Sequence, residues 1–178
     1  MTRDGHVTQP ATIEPVEQEH VALVAPWLTR PDVTKWLDFG RGRQSLPAAA
    51  LTIMLRQDAH RLWIVRESHG EPVGIVALGE INPVFGSAVL WYAVGALDAR
   101  GRGVATTAVT ATLGEAFGPL ALHAVQAWVV DGNEASVRVL ERNGFRCVGR
   151  QRACHVIDGE RRDRVLFDRL ADDSDRPS

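Results

Sequence analysis

The middle of the chain contains three hydrophobic runs with the length and spacing of β-strands. These runs are RLWIVRE, PVGIVALGEI and AVLWYAVGA, and the turn-forming sequences SHGEP and NPVFGS separate them. Short apolar runs bounded by Gly, Pro, Asn and Ser are typical of strands joined by tight turns. The pattern therefore predicts an antiparallel meander.

Helical spacing of apolar residues appears on both sides of this meander. Before it, the spacing predicts helices over 17–28 and from Pro47 to about Gln57, with a Gly- and Arg-rich loop between them. After it we expect helices at about 104–117 and 134–143, and strands near 123–130, 148–157 and 163–170. This combination predicts an α/β (α+β) fold built on one mixed sheet.

The length and apolar content are those of one domain. The chain has 178 residues, of which 45% are hydrophobic, so it can bury a substantial core. We place this single domain at 13–170. Residues 1–12 and 171–178 contain too few apolar side chains to pack, and we expect flexible termini there.

Charge, hydropathy and cysteine content exclude several classes of protein. The net charge of −2 lacks the basic excess that nucleic-acid binding usually requires. No apolar run approaches the roughly 20 residues of a membrane span and no signal peptide is evident, so we expect a cytoplasmic protein that binds neither nucleic acid nor membrane. Cys147 and Cys154 lack the spacing of a zinc site or a disulfide scaffold, so no metal is expected.

The segment ALDARGRGVATTAVTATLGEAF contains a candidate binding site for an anion, because a glycine-rich turn precedes an amphipathic helix. Gly101 and Gly103 allow a close approach of ligand, and unpaired N–H groups at a helix N-terminus attract negative charge. The same pattern also fits a plain strand-to-helix connection. The preceding antiparallel strands argue against a dinucleotide-binding fold, and the absence of lysine from the loop argues against a P-loop.

Two motifs resemble those of the GNAT superfamily of acyl-coenzyme A-dependent N-acetyltransferases. Residues 100–105, RGRGVA, resemble its Q/R-x-x-G-x-G/A signature. Residues 133–145, NEASVRVLERNGF, resemble the N-x-x-S-x-x-V-L-E-[KR]-x-G-F block of the RimJ/RimL-type branch, which contains ribosomal-protein N-terminal acetyltransferases. The resemblance extends from about Glu17 to Leu170. It implies a GNAT fold, with a mostly antiparallel mixed sheet of about seven strands, splayed between the fourth and fifth, and about four flanking helices.

The resemblance also implies acetyl-CoA as the co-substrate. Backbone amides around 102–105 would hold its pyrophosphate, Asn133 would meet its pantetheine arm, and an amide near Val94 or Gly95 would polarise the acetyl carbonyl. The ordinary alternatives are solvated arginines and a helix N-cap at Asn133. The implied cofactor-binding residues are Val94, Gly95, Arg100, Gly101, Arg102, Gly103, Val104, Ala105 and Asn133.

Three residues are candidates for moving protons. By resemblance, Ser136 would protonate or orient the departing thiolate, and a plain first-turn serine is the alternative. Many GNAT enzymes carry a tyrosine four residues later, where this chain has Leu140. His155 stands nineteen positions after Ser136, where RimL-type enzymes carry a glutamate base, and a neutral imidazole accepts protons near pH 7. The alternatives are a structural strand histidine at that position and Glu80, at the end of the family's third strand, as the base or ammonium anchor.

The loop between the first two helices is expected to cover the acceptor, with Trp36, Phe39 and Arg41 as candidate contacts. The sequence therefore predicts an acetyltransferase that passes an acetyl group from acetyl-CoA to a primary amine by direct attack. The acceptor is either a protein N-terminal α-amine or a small-molecule amine. The alternative from another class is a non-catalytic coenzyme A-binding sensor or scaffold of the same fold. A homodimer is one candidate assembly.

Overall fold

Seven strands form one mixed sheet in the computed structural model of the protein, which describes residues 11–173. The sheet order is β1-β2-β3-β4-β5-β7-β6, and every neighbouring pair is antiparallel except β4 and β5. The expected flexible termini lie mostly outside the described residues. The strands are Thr12–Pro15 (β1), Arg61–Arg66 (β2), Pro72–Asn82 (β3), Ser87–Val94 (β4), Ala124–Val130 (β5), Arg146–Ile157 (β6) and Glu160–Leu170 (β7).

Five α-helices connect these strands, so the predicted mixed α/β fold and the meander of β2, β3 and β4 are confirmed. The fourth helix has the bounds predicted from its apolar spacing. Two short 3-10 segments, Gln18–His20 and Trp27–Thr29, flank the first helix. The α-helices are Val21–Val24 (α1), Pro31–Thr34 (α2), Ala48–Leu55 (α3), Val104–Phe117 (α4) and Glu134–Arg142 (α5).

The N-terminal part of the chain differs from the prediction. The expected helix over 17–28 is interrupted, and only Val21–Val24 is α-helical within it. Pro26 lacks a backbone N–H and therefore cannot continue the helical hydrogen-bond pattern. The first strand, β1, was not predicted, because its four residues are a half-buried edge strand without a clear alternation.

The sheet opens between β4 and β5. Their pairing includes only Ser87–Val89 of β4 and Ala124–Gln126 of β5. Beyond that point β4 remains paired with β3 as far as Val94, and β5 remains paired with β7 as far as Val130. The second halves of the two strands therefore diverge, and each keeps one unpaired edge facing the gap.

Two hydrophobic clusters cover the two faces of the sheet. One contains Val76, Leu78 and residues of α4 and α5, and the other contains Ile75, Ala77 and residues of α1 and α3. Side chains alternate between the two faces along β3, as expected for a strand buried on both sides. The same alternation on β4 sends Trp91 to the N-terminal cluster and Tyr92 to the cluster of α4 and α5.

Two glycine substitutions, one at the close contact between β3 and β4 and one in α4, should change the stability of the protein in opposite directions. A Cβ on Gly74 would lie 2.5 Å from the Ala93 carbonyl oxygen, so Gly74→Ala should destabilise the protein by about 1–3 kcal/mol. Gly114 lies within α4 with nothing within 4 Å of a Cβ, so Gly114→Ala should stabilise it by about 0.5–1 kcal/mol. Urea denaturation measures both, and equal effects would contradict the packing described here.

Candidate active site

A cavity of about 510 Å³ occupies the gap between the diverging ends of β4 and β5. Its walls come from four further parts of the chain: the segment around α2, the loop before α4, the first turn of α4, and one side of α5. These elements meet because α4 and α5 both pack on the same face of the sheet. The opening of the sheet therefore becomes a cleft lined by all of these elements.

The glycine-rich loop forms one end of the cavity. Gly101 and Gly103 adopt φ angles of 78° and 82°, and a Cβ on either would meet nothing within 4 Å. Gly103 is the N-cap of α4 and offers no side chain to the helix. The first N–H groups of a helix lack intrahelical partners, so those of Val104 and Ala105 are available to a ligand. The loop has the space and the polarity to hold a phosphate group.

The two arginines of this loop have different surroundings. Arg100 lines the cavity, and one of its terminal nitrogens lies 2.9 Å from an oxygen of Asp32. Arg102 does not line the cavity and pairs with Glu67 at 3.5 Å. Of the two predicted side chains, only that of Arg100 is placed to meet a ligand in the cavity.

The start of α5 brings two predicted residues into the cavity. The Asn133 side-chain oxygen accepts a hydrogen bond from the Ser136 amide at 3.3 Å, so Asn133 is the N-cap of α5 and also lines the cavity. Ser136 lines the cavity as well, and its carbonyl accepts a hydrogen bond from the Tyr92 hydroxyl at 3.3 Å. Burial raises the pKa of Tyr92 to about 12, so its phenol keeps its proton at neutral pH.

Sequence reasoning missed two cationic residues of α5. Arg138 and Arg142 both line the cavity. Their spacing of four residues places them on one face of the helix, which was the available signal. They add positive charge to a site that already contains Arg100.

The amides of Val94 and Gly95 are not equivalent. The Gly95 N–H donates to the Val73 carbonyl at 2.8 Å, and a Cβ on Gly95 would lie 2.2 Å from the Trp27 ring. Gly95 is therefore a packing glycine, and its N–H, which was predicted to donate to a ligand, already has a partner within the protein. Successive N–H groups of a strand point to opposite edges, so the Val94 N–H points toward the gap left by β5. Val94 also lines the cavity.

His155 does not face the cavity, contrary to the expectation from its position on β6. Its side chain is buried, with 3% of the residue exposed, and it is absent from the cavity lining. The Nε2 atom lies 2.7 Å from the Lys35 carbonyl oxygen, which can only accept, so Nε2 carries the proton. The Nδ1 atom then accepts from Arg164 at 3.0 Å. Neither ring nitrogen is free to take a proton from an amine.

Of the four remaining predicted residues, only Trp36 lines the cavity. Glu80 is exposed at an irregular point of β3 with φ of 51°, and it does not line the cavity. Trp36 lines it, whereas Phe39 packs edge-on against Trp91 with ring centroids 5.2 Å apart. Arg41 is exposed and lies outside the lining.

Within residues 11–173, no helix is long and apolar enough to span a membrane, and no group of His, Cys, Asp and Glu could hold a metal ion.

The surroundings of His155 predict how stability depends on pH. Burial lowers the pKa of His155 below its usual value of 6.5, so the folded protein favours the neutral ring. The contribution to stability is complete above pH 6.5 and is lost as the pH falls through the lower, folded pKa. His155→Gln should therefore flatten the loss of stability measured by urea denaturation between pH 7.5 and 5. Burial also lowers the pKa of His60, so His60→Gln should flatten a separate part of the same loss. An unchanged pH dependence in His155→Gln would contradict the described contacts.

Comparison with known proteins identifies the family to which the chain belongs. Residues 11–146 match the model of the acetyltransferase (GNAT) domain. No curated protein matches the sequence at a significant level. Among solved structures, the fold is similar to that of a spermidine N-acetyltransferase from Vibrio cholerae in complex with CoA and spermine, with 20% identity over 93% of this chain and 98% of that chain and a TM-score of 0.82.

Two further structures of the Vibrio cholerae enzyme are also similar. A chimera of this enzyme and hSSAT has 21% identity over 94% of this chain and 100% of that chain, with a TM-score of 0.79. A dodecameric structure in an intermediate state has 21% identity over 92% of this chain and 95% of that chain, with a TM-score of 0.78. At these identities the likeness supports the fold, and the family model covers most of the chain. The protein therefore belongs to the GNAT acetyltransferases, which use acetyl-CoA as the acetyl donor.

Proposed function

We propose that this acetyltransferase acetylates a primary amine group of a small cationic molecule of the polyamine type. The observation that carries the proposal is the continuous cavity, which joins the glycine-rich loop, the free edge of β4 and the aromatic side chains near α2. The similar spermidine N-acetyltransferase from Vibrio cholerae, in complex with CoA and spermine, supports this choice of acceptor. The dodecameric structure among them supports self-association of the chain as a further proposal.

The cavity has two ends with different chemistry. The amides of Gly103, Val104 and Ala105 would hold the pyrophosphate, and Arg138 and Arg142 would supply further positive charge to the phosphates. Acetyl-CoA, when bound, supplies an acetyl group activated as a thioester. Trp36 and Trp91 lie in the same cavity and would contact the acceptor.

Protons and charge must be handled by residues near the gap. The Val94 N–H would donate to the acetyl carbonyl oxygen, because it points toward the gap and is not paired with β5. The Ser136 hydroxyl would donate a proton to the departing sulfur and regain one from the attacking nitrogen, which loses a proton as the amide forms. The neutral phenol of Tyr92 donates to the backbone carbonyl of Ser136. Neither His155 nor Glu80 lines the cavity, so we propose that the amine loses its proton to water before it attacks.

A second acceptor class has its own support. The block NEASVRVLERNGF on α5 and its flanks resembles that of the RimJ/RimL-type branch, whose acceptors are protein N-terminal α-amines. A protein N-terminus is therefore the alternative acceptor. It differs from a polyamine because its reacting amine is followed by an extended backbone.

The proposal predicts a pattern of coenzyme A release. Wild-type protein with acetyl-CoA should release free thiol with spermidine or spermine faster than with N-terminal peptides of ribosomal proteins. Faster release with the peptides would favour the RimJ/RimL-type acceptor. Binding of acetyl-CoA without release in the presence of any amine would indicate the non-catalytic coenzyme A-binding module instead.

A variant of the glycine-rich loop tests where the cofactor lies. Gly103→Asp places a carboxylate among the amides of the glycine-rich loop. The variant should bind acetyl-CoA about tenfold more weakly or worse, as measured by calorimetry. Gly159→Asp is the matched control, because Gly159 has a similar φ of 81°, equal space for a Cβ, and lies in the turn between β6 and β7. Equal affinities in the two folded variants would overturn this placement.

Ser136 should affect turnover more than binding. Removal of a group that donates a proton in the reaction lowers the rate by about 10²–10⁴-fold, so Ser136→Ala should reduce kcat by at least about tenfold. Its dissociation constant for acetyl-CoA should stay within a few-fold of wild type, because the Asn133 cap bonds to the Ser136 backbone and remains. If the variant keeps wild-type turnover, the proton that reaches the departing sulfur comes from water and not from Ser136.

A further inference from the structure

Asp32 is the only carboxylate that lines the cavity among residues 11–173. The other charged residues of the lining are three arginines: Arg100, Arg138 and Arg142. Asp32 belongs to α2, the segment that also brings Trp36 into the cavity. It is therefore the one group of the described lining with the negative charge to bind a cationic acceptor.

Two arginines hold this carboxylate. Arg30 contacts both of its oxygens, at 2.5 and 3.1 Å, and Arg100 contacts one of them at 2.9 Å. The hydrogen bond from Arg30 is the main reason that the pKa of Asp32 lies below its usual value, so the group is ionised at neutral pH. A carboxylate held in this way is a weak base, and its negative charge is shared by two guanidinium groups.

The two arginines differ in how firmly they are placed. Arg30 also donates to the Gly95 carbonyl at 2.8 Å, which fixes it to the end of β4. The additional contacts of Arg100, with the Val94 carbonyl, are long at 3.4 Å. Arg100 belongs to the loop that presents free amides to a phosphate. A pyrophosphate in that loop would compete with Asp32 for the Arg100 guanidinium, and an exposed ion pair of this kind is weak.

We propose that Asp32 binds a positively charged group of the acceptor, and that its carboxylate becomes available when the pyrophosphate of coenzyme A takes Arg100. This inference rests on the proposed function and narrows its substrate class. An amine must be neutral to attack, so the group bound by Asp32 is a second, non-reacting cation on the same molecule. Acceptors therefore carry at least two amino groups or an amine and another cation. The Trp91 ring in the same cavity favours such a ligand, whereas the Trp36 ring already has the Lys35 ammonium over it, 5.0 Å from its centroid.

The exchange of partners makes the binding of cofactor and acceptor cooperative. Coenzyme A releases Asp32 for the acceptor, and by thermodynamic reciprocity the acceptor releases Arg100 for coenzyme A. Each ligand therefore raises the affinity for the other.

Calorimetry with coenzyme A, which cannot react, and spermidine as the probe acceptor tests this coupling. In wild-type protein, saturating coenzyme A should lower the dissociation constant of spermidine by about fivefold or more. In Asp32→Asn, spermidine should bind about three- to tenfold more weakly in the presence of coenzyme A, and the effect of coenzyme A should disappear. Asp32 is exposed, so this variant should keep the thermal midpoint of the wild type.

Glu67→Gln is the matched control. It removes the carboxylate partner of the other loop arginine, Arg102, outside the cavity, and should keep the wild-type coupling. Catalysis gives a second measurement: Asp32→Asn should lower kcat/KM for spermidine and leave that for butylamine, which has no second cation, nearly unchanged.

The outcomes separate this inference from the proposed function. If Asp32→Asn keeps both spermidine affinity and coupling, or if wild type shows no coupling, the inference is wrong while acetyl transfer to spermidine still stands. If wild type does not bind coenzyme A, or releases none from acetyl-CoA with any amine, both are wrong.

Discussion

The divergence of β4 from β5 is the constraint on which the site depends. The two strands share three residue pairs, whereas β5 has seven pairs with β7 and β4 has seven with β3. Closing the gap would require either strand to leave its longer ladder and the packed cluster beneath it. The gap therefore persists without a ligand, and it leaves the backbone edge of β4 open to one. The positive end of α4 lies at the same gap because the glycine-rich loop follows β4 directly.

The wall formed by the N-terminal part of the chain is held from two sides. On one side, Arg30 joins Asp32 to the carbonyl at the end of β4. On the other, Arg164 pairs with Asp38 at 2.8 Å and stacks over the Trp128 ring at 3.9 Å, while His155 binds the Lys35 carbonyl. These contacts join the loop after α2 to β5, β6 and β7. His155 acts in the structure as part of this attachment, which positions Trp36 in the cavity.

The sequence predicted the elements that depend on local pattern better than those that depend on distant contacts. The bounds of α4 and the glycine-rich loop follow from apolar spacing and from backbone freedom that only glycine provides. The orientation of His155 could not be predicted by counting along β6, because the pairing of β6 with β7 is irregular between Gln151 and His155. No sequence pattern marks Asp32 as a site residue either, since its place in the cavity depends on a contact with Arg100, more than sixty positions away.

The most direct test of the site is to record backbone amide NMR signals while coenzyme A is added. The amides from Gly101 to Thr106, those of Asn133 and Ser136, and the Val94 amide at the free edge of β4 should shift most. The Gly95 amide, which is bonded to the Val73 carbonyl, should keep that bond and shift little by comparison. Shifts concentrated elsewhere, or none at the glycine-rich loop, would contradict the placement of the cofactor in the gap between β4 and β5.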